Sequence, residues 1–366
     1  MQNWINEPSN SLFVLGDFNA SYYLFPYQVI PDKEIVIRGQ FPHARYLSFT
    51  INGQGDVAIA SVPDVALIPD PGSTNPFLPG ANWDAKNRNY TLLVRFTAPP
   101  PGFNHFVPGA GTNTVYAGTL PDGRLNSQGL ITLRIYVPSI GYDQTGGVGL
   151  PTIEYCNVKA DMVNISELDE KPSISDITPD TLALPNNNNC TLVWSKTNRL
   201  QSILLQANPN TIYLISNQLQ RDPGKLLFIR FKAPTFPDTY HNFGIVGNED
   251  MRYWSFMFTT RIGYLGLYTI SDFQTHIDKY GYVNLVISFG AERPKSVTAE
   301  NGYTWVNVSH LPLISFSLIY RNTLISPNFP FVPRNVPEGE IVPPEVMGEY
   351  YPCGIYVDPS YFDVCR

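Results

Sequence analysis

The sequence predicts an all-β fold: two tandem, internally duplicated antiparallel β-sandwich domains of jelly-roll-like type, followed by a Pro-rich C-terminal extension. Three observations carry this. Apolar residues recur at every second position in segment after segment, the period of a strand with one buried face. Charged residues make up only 15% of the 366 residues, while Pro (33), Tyr (22) and Phe (21) abound; coiled coils, helical repeats and disordered chains have other compositions. A set of short motifs also occurs twice in the same order.

In chain order, Tyr46 to Ile51 puts Leu47, Phe49 and Ile51 on one face, and Tyr90 to Phe96 alternates in the same way. Ile131 to Val137 puts four aliphatics on one face and Thr132, Arg134 and Tyr136 on the other, which is expected to be the wetter one. The pattern returns at 226–231, 252–258, 283–289, 304–308 and 314–320. Clusters such as Pro69-Asp70-Pro71-Gly72 and Pro99-Pro100-Pro101-Gly102 separate the runs. Short helices are expected at 271–280 and at 344–351, the latter opened by Pro344 in its first turn.

The repeat aligns Ile35-Val36-Ile37-Arg38 with Leu227-Phe228-Ile229-Arg230, and Arg45-Tyr46-Leu47-Ser48-Phe49 with Arg252-Tyr253-Trp254-Ser255-Phe256. The second copy carries an insertion from Thr235 to Met251. Asp64 follows Arg45, and Asp272 follows Arg252, at almost the same distance. The expected division is a first β-sandwich domain at 12–155, a polar linker or loop at 156–199, a second β-sandwich at 200–325 and the extension at 326–366. Arg45 with Asp64, and Arg252 with Asp272, are expected to form structural ion pairs, each arginine with the aspartate that follows it. A buried pair of this kind persists because removing one partner strands the other charge.

Four cysteines are present, none in a Cys-x-x-Cys pair, which points away from a structural zinc site. Pairing neighbours in sequence gives Cys156–Cys190 and Cys353–Cys365, the connectivity that closes the smallest loops. Two disulfides suit an oxidising compartment. Met1-Gln2-Asn3-Trp4 has neither the basic start nor the apolar stretch of a signal peptide. The chain therefore reads as the mature form of an exported protein, extracellular or at the cell surface.

A net charge of −7 argues against nucleic acid as a partner, and no run of about 20 apolar residues offers a transmembrane helix. There is no Gly-x-Ser-x-Gly elbow, and the glycine-rich stretches at 109–111 and 146–149 lack the strand–helix setting of a phosphate loop. The five histidines have no metal-binding spacing. Cofactors are expected to be none, with calcium the one candidate: Asp64, Asp70 and Asp84 on one loop offer hard oxygen ligands. The residues singled out for ligand binding are His43, Asp70, Trp83 and His105, loop-borne imidazoles, an aromatic face and a carboxylate. The expected function is non-catalytic, acting through the surface by self-assembly or by binding a polymeric partner such as a glycan. The alternative is a hydrolase or lyase with its site in an inter-domain cleft.

The motifs Gly39-Gln40-Phe41-Pro42-His43-Ala44-Arg45-Tyr46-Leu47-Ser48-Phe49, Asp70-Pro71-Gly72-Ser73-Thr74-Asn75-Pro76-Phe77, Arg252-Tyr253-Trp254-Ser255 and Val346-Met347-Gly348-Glu349-Tyr350-Tyr351-Pro352 resemble those of a family of uncharacterised, mostly bacterial proteins. The resemblance runs over about residues 20–355. It implies an all-β sandwich fold and frequent export, and brings no established activity, cofactor or catalytic residue. Arg321-Asn322 is followed here by Thr323-Leu324, where the family has a Met-Leu pair; that bears on packing alone.

Overall fold

The computed structural model describes residues 4–7, 16–103, 113–158, 190–197, 207–260 and 265–363. The first half contains β1 (Ile5–Glu7), β2 (Ala20–Gln28), β3 (Lys33–Gln40), β4 (Ala44–Gly53), β5 (Ala58–Pro63), β6 (Asn89–Arg95), β7 (Thr114–Tyr116), β8 (Gln128–Pro138) and β9 (Thr152–Asn157). The second contains β10 (Trp194–Lys196), β11 (Thr211–Ser216), β12 (Leu219–Gln220), β13 (Leu226–Lys232), β14 (Met251–Thr259), β15 (Gly266–Ser271), β16 (Tyr282–Ser288), β17 (Thr304–Asn307), β18 (Ser315–Ile325) and β19 (Cys353–Val357). A short helix, α1 (Pro344–Met347), starts at the proline as expected.

The two halves share one strand order. The larger sheets run β1-β2-β8-β4-β5 and β10-β11-β18-β14-β15; the smaller ones run β7-β6-β3-β9 and β17-β16-β13-β19. Among the described strands only β12, paired with β18, has no counterpart. Pairing is antiparallel except that β6–β7 and β16–β17 are parallel. Between the sheets of the first half lie Leu47, Phe49, Ile51, Leu133 and Ile135, packed against Ile35, Ile37, Leu92 and Val94. Trp254, Phe256, Leu318 and Tyr320 pack against Leu227, Ile229 and Phe231 in the second. Each such side chain contributes roughly 1.5–3 kcal/mol by leaving water.

One expectation reverses. The polar faces of β4 and β8 do not meet water: every residue of β4 and of its counterpart β14 is buried, and so are Thr132, Arg134 and Tyr136. The outward face of each larger sheet is turned toward the other half, where the Tyr136 and Tyr253 rings meet edge to face at 5.2 Å. Period-2 alternation distinguishes two faces of a strand, but it does not say whether the second face meets solvent or another domain.

Other boundaries move as well. Residues 190–197, assigned to the linker, belong to the second half: β10 lies at the edge of its larger sheet. The C-terminal extension supplies β19, the counterpart of β9, which pairs with β13 from Leu226↔Val357 to Arg230↔Cys353. The helix expected at 271–280 is a single 3-10 turn, Asp272–Gln274, after which the chain is irregular. Cys190 is joined to Cys353, not to Cys156, with a Cα separation of 5.3 Å, and Cys156 on β9 is free. The reason is β19: Thr191 donates to the Gly354 carbonyl (2.7 Å), so the two strand ends already lie side by side. Short loops decide pairing only when the fold does not. Cys365, expected to bond Cys353, lies outside the described residues.

Candidate functional site

The repeated arginines and aspartates meet at the junction of the halves, but crosswise. Arg45 Nη1 donates to Asp272 Oδ1 at 2.9 Å, and Arg252 Nη1 to Asp64 Oδ1 at 2.9 Å. The side chains of Arg45, Asp64 and Asp272 are 0% exposed and that of Arg252 is 6% exposed. Each aspartate turns its other oxygen to its own half, where Oδ2 of Asp64 accepts from Leu47 N (2.9 Å) and Oδ2 of Asp272 from Trp254 N (3.1 Å). The expected pairing within each half is therefore wrong. An aspartate held by the backbone two residues beyond its own arginine presents its free oxygen across the junction, to the other arginine.

The aromatic partners follow the same rule. Arg45 lies over Phe236 at 5.0 Å and Arg252 over Phe77 at 5.5 Å, contacts worth about 0.5–2 kcal/mol when desolvated. Burial pushes the Asp272 carboxyl up to about 6, although Arg45 pulls the other way; Asp64 is raised for the same reason against the pull of Arg252. A third acid, Asp17, accepts from Ser255 Oγ (2.7 Å) and lies 3.5 Å from Arg321.

The insertion of the second half closes this junction. Thr239 Oγ1 accepts from Arg45 Nε (2.9 Å), the Tyr240 carbonyl accepts from Ile140 N (2.8 Å), and Ile245 is buried in the hydrophobic core of the first half. The junction is thus closed and packed. It leaves Arg45 Nη2 and Ser48 Oγ buried without a hydrogen-bond partner, and among the described residues it offers no open acid, base or nucleophile.

Of the residues singled out for ligand binding, the fold brings two together. His43 stacks on Tyr142 (4.4 Å) and meets Trp83 edge-on at 5.7 Å. Burial, aided by the Arg88 charge, holds the His43 imidazole below its ordinary value. Trp83 is buried and packs on Phe77, whose ring sits under Arg252. This pair supports the junction and offers little surface. Asp70 lies beside β6, where its carboxylate accepts from Thr91 (3.1 Å). His105 lies outside the described residues. The calcium loop loses its first ligand, since Asp64 is committed to Arg252. Among the described residues no group of three His, Cys, Asp or Glu side chains converges as a metal site.

Sequence reasoning missed an open depression of about 860 Å³ at one end of the first half. Its walls come from the ends of β2, β4 and β8 and from β9. Gln28 and Gln128 pair across β2 and β8, and the Tyr155 hydroxyl accepts from Gln28 N (3.0 Å). Gln54 is fixed by Ser127 Oγ (2.7 Å) and by its N–H to Asn126 Oδ1 (3.0 Å). The floor is glycine by steric necessity: a Cβ on Gly129 would lie 1.9 Å from the Asn52 carbonyl oxygen. Among the described residues, Asp56 is the one carboxylate that lines the depression. Glutamines at three strand ends, two of them beside glycines (Gln54 and Gln128), were the available signal, legible only once those ends are known to meet.

No family model matches the chain, and no curated protein matches it significantly. Two of the solved structures similar to it are as follows. A Burkholderia cenocepacia protein described as uncharacterised aligns with a TM-score of 0.50 at 11% identity, over 94% of this chain and 78% of its own. A Vibrio parahaemolyticus protein aligns with a TM-score of 0.45 at 12% identity, over 98% and 92%. The first of these likenesses is one of fold, in keeping with the all-β class.

Proposed function

We propose that the protein is a non-catalytic, exported binding protein that holds a neutral polar polymer, such as a glycan strand, in the depression of its first half. The observation that carries this reading is the lining: three glutamine side chains, a tyrosine hydroxyl and glycine backbone, with Asp56 the one carboxylate among the described lining residues. Amides and hydroxyls match the hydrogen-bonding groups of uncharged sugars. Glycoside hydrolysis ordinarily requires a pair of carboxylates flanking the bond, and a hydrolase or lyase at the junction would need an open cleft where Arg45, Asp64 and Asp272 are wholly buried. In the closed chain the faces the two domains have in common are buried against each other, so the depression, and not those faces, is the surface open to an outside polymer.

Export is supported by the Cys190–Cys353 disulfide, since such bonds persist in oxidising compartments. Among the described residues no helix is long and apolar enough to cross a membrane.

The test is a glycan array followed by calorimetry on the strongest hit, with the full chain and with Gln128→Ala and Gln28→Ala. Each substitution is expected to weaken binding about fivefold, the loss of one hydrogen bond worth roughly 1 kcal/mol. Unchanged affinity in both variants, or turnover of a glycoside or ester by the pure protein, would remove the proposal.

A further inference from the structure

The contacts across the junction come in matched pairs. Arg45–Asp272 answers Arg252–Asp64. Asn19 Nδ2 reaches Ser271 Oγ (2.6 Å) and Asn210 Nδ2 reaches Ser61 Oγ (2.7 Å). The turns that carry them match as well: Asp17 N and Asn208 N donate to Tyr22 and Tyr213 (2.8 and 3.0 Å), while Asn19 N and Asn210 N donate to Asp17 Oδ1 and Asn208 Oδ1 (2.9 and 3.0 Å). Val137 and Leu324, each the last residue but one of β8 and β18, share a left-handed φ of 47°, a conformation that bulky residues rarely adopt.

An interface in which each residue meets its partner's counterpart is isologous, the kind that two copies of one surface form about a dyad. We infer that the inward face of the first half is self-complementary, and that the partner it fits besides its own second half is the first half of another copy of this chain. In such a pair Arg45 of each copy lies on Asp64 of the other. Asp17, which faces Ser255 and Arg321 in the closed chain, comes to Ser48 and Arg134, the matching residues of β4 and β8. The second half lacks this property, because Asn208 stands where the first half has Asp17 and a pair of second halves would put no carboxylate against Arg321. Tethering favours closure within one chain, as does the insertion that seats Ile245 in the first half's core.

The full-length variant Arg252→Asp/Asp272→Arg/Ile245→Asp reverses the second half's charges, withdraws the insertion and leaves the first half's face intact. Light scattering is expected to show its mass doubling from 41.0 kDa, and adding Asp17→Asn is expected to return it to the monomer. A folded variant that stays monomeric at every concentration, or a dimer indifferent to Asp17→Asn, overturns the inference. If circular dichroism shows that the variant has unfolded, the wild-type chain with a protease site placed between residues 158 and 190 decides. Pairs of first halves in native mass spectra after cleavage support the inference, and their absence overturns it.

Discussion

Replacing Arg45 with Met is expected to lower the free energy of unfolding by about 3–5 kcal/mol at neutral pH, the cost of leaving one member of a buried ion pair uncompensated. Asp272 would keep its backbone donors, Trp254 N and Phe273 N (3.1 and 2.6 Å), but no cation. The deficit should depend on pH with a definite sign. The Asp272 carboxyl is already raised by burial from 3.8 to about 6, and loss of Arg45 removes the influence that holds it down. A carboxyl raised in the folded state takes up a proton on folding, so its protonated form favours the fold below that value and the advantage disappears as pH rises through it. Urea unfolding of Arg45→Met should therefore show a smaller loss at pH 5 than at pH 8. The double variant Arg45→Met/Asp272→Leu should be more stable than the single one at pH 8, since it buries no charge.

The second large effect concerns the disulfide. Cys190 and Cys353 are separated by 163 residues, and a cross-link closing a loop of that size is worth roughly 4–5 kcal/mol on the chain-entropy model. Cys353→Ser, or reduction of the native protein, should lower the unfolding midpoint by the corresponding amount. Cys156→Ser should leave it within about 0.5 kcal/mol, as expected for a site outside the network. A loss from Cys156→Ser of several kcal/mol would show Cys156 to be bonded and would contradict the Cys190–Cys353 pairing.

Much of the fold is legible in the residues. Alternation located the long strands, and the paired motifs around Arg45 and Arg252 disclosed a duplication that the strand orders bear out. What alternation could not supply was the environment of the second face. Ser48, Thr50 and Thr132 are polar and yet buried, because the other half covers the face they share; Thr50 accepts from Arg134 on the adjacent strand, while Ser48 Oγ is left without a partner. Residues at the junction were identified and mispartnered for a related reason. Arg45 and Asp64 are close in sequence, but a duplicated chain offers two equivalent aspartates, and only the dyad selects Asp272. The depression was missed entirely: Gln28, Gln54 and Gln128 are ordinary surface residues until the ends of β2, β4 and β8 are placed side by side.

The reciprocal exchange of partners between the halves is the feature on which the junction, its clasp and its self-complementary face all depend, and a double-mutant cycle measures it. Unfolding free energies would be determined at pH 7 for the wild type, Arg45→Met, Asp64→Leu and Asp272→Leu, and for Arg45→Met combined with each aspartate change. The cross pair is expected to show a coupling energy of about 2 kcal/mol or more, and Arg45 with Asp64 less than half of that. A larger coupling between Arg45 and Asp64 than between Arg45 and Asp272 would contradict the account.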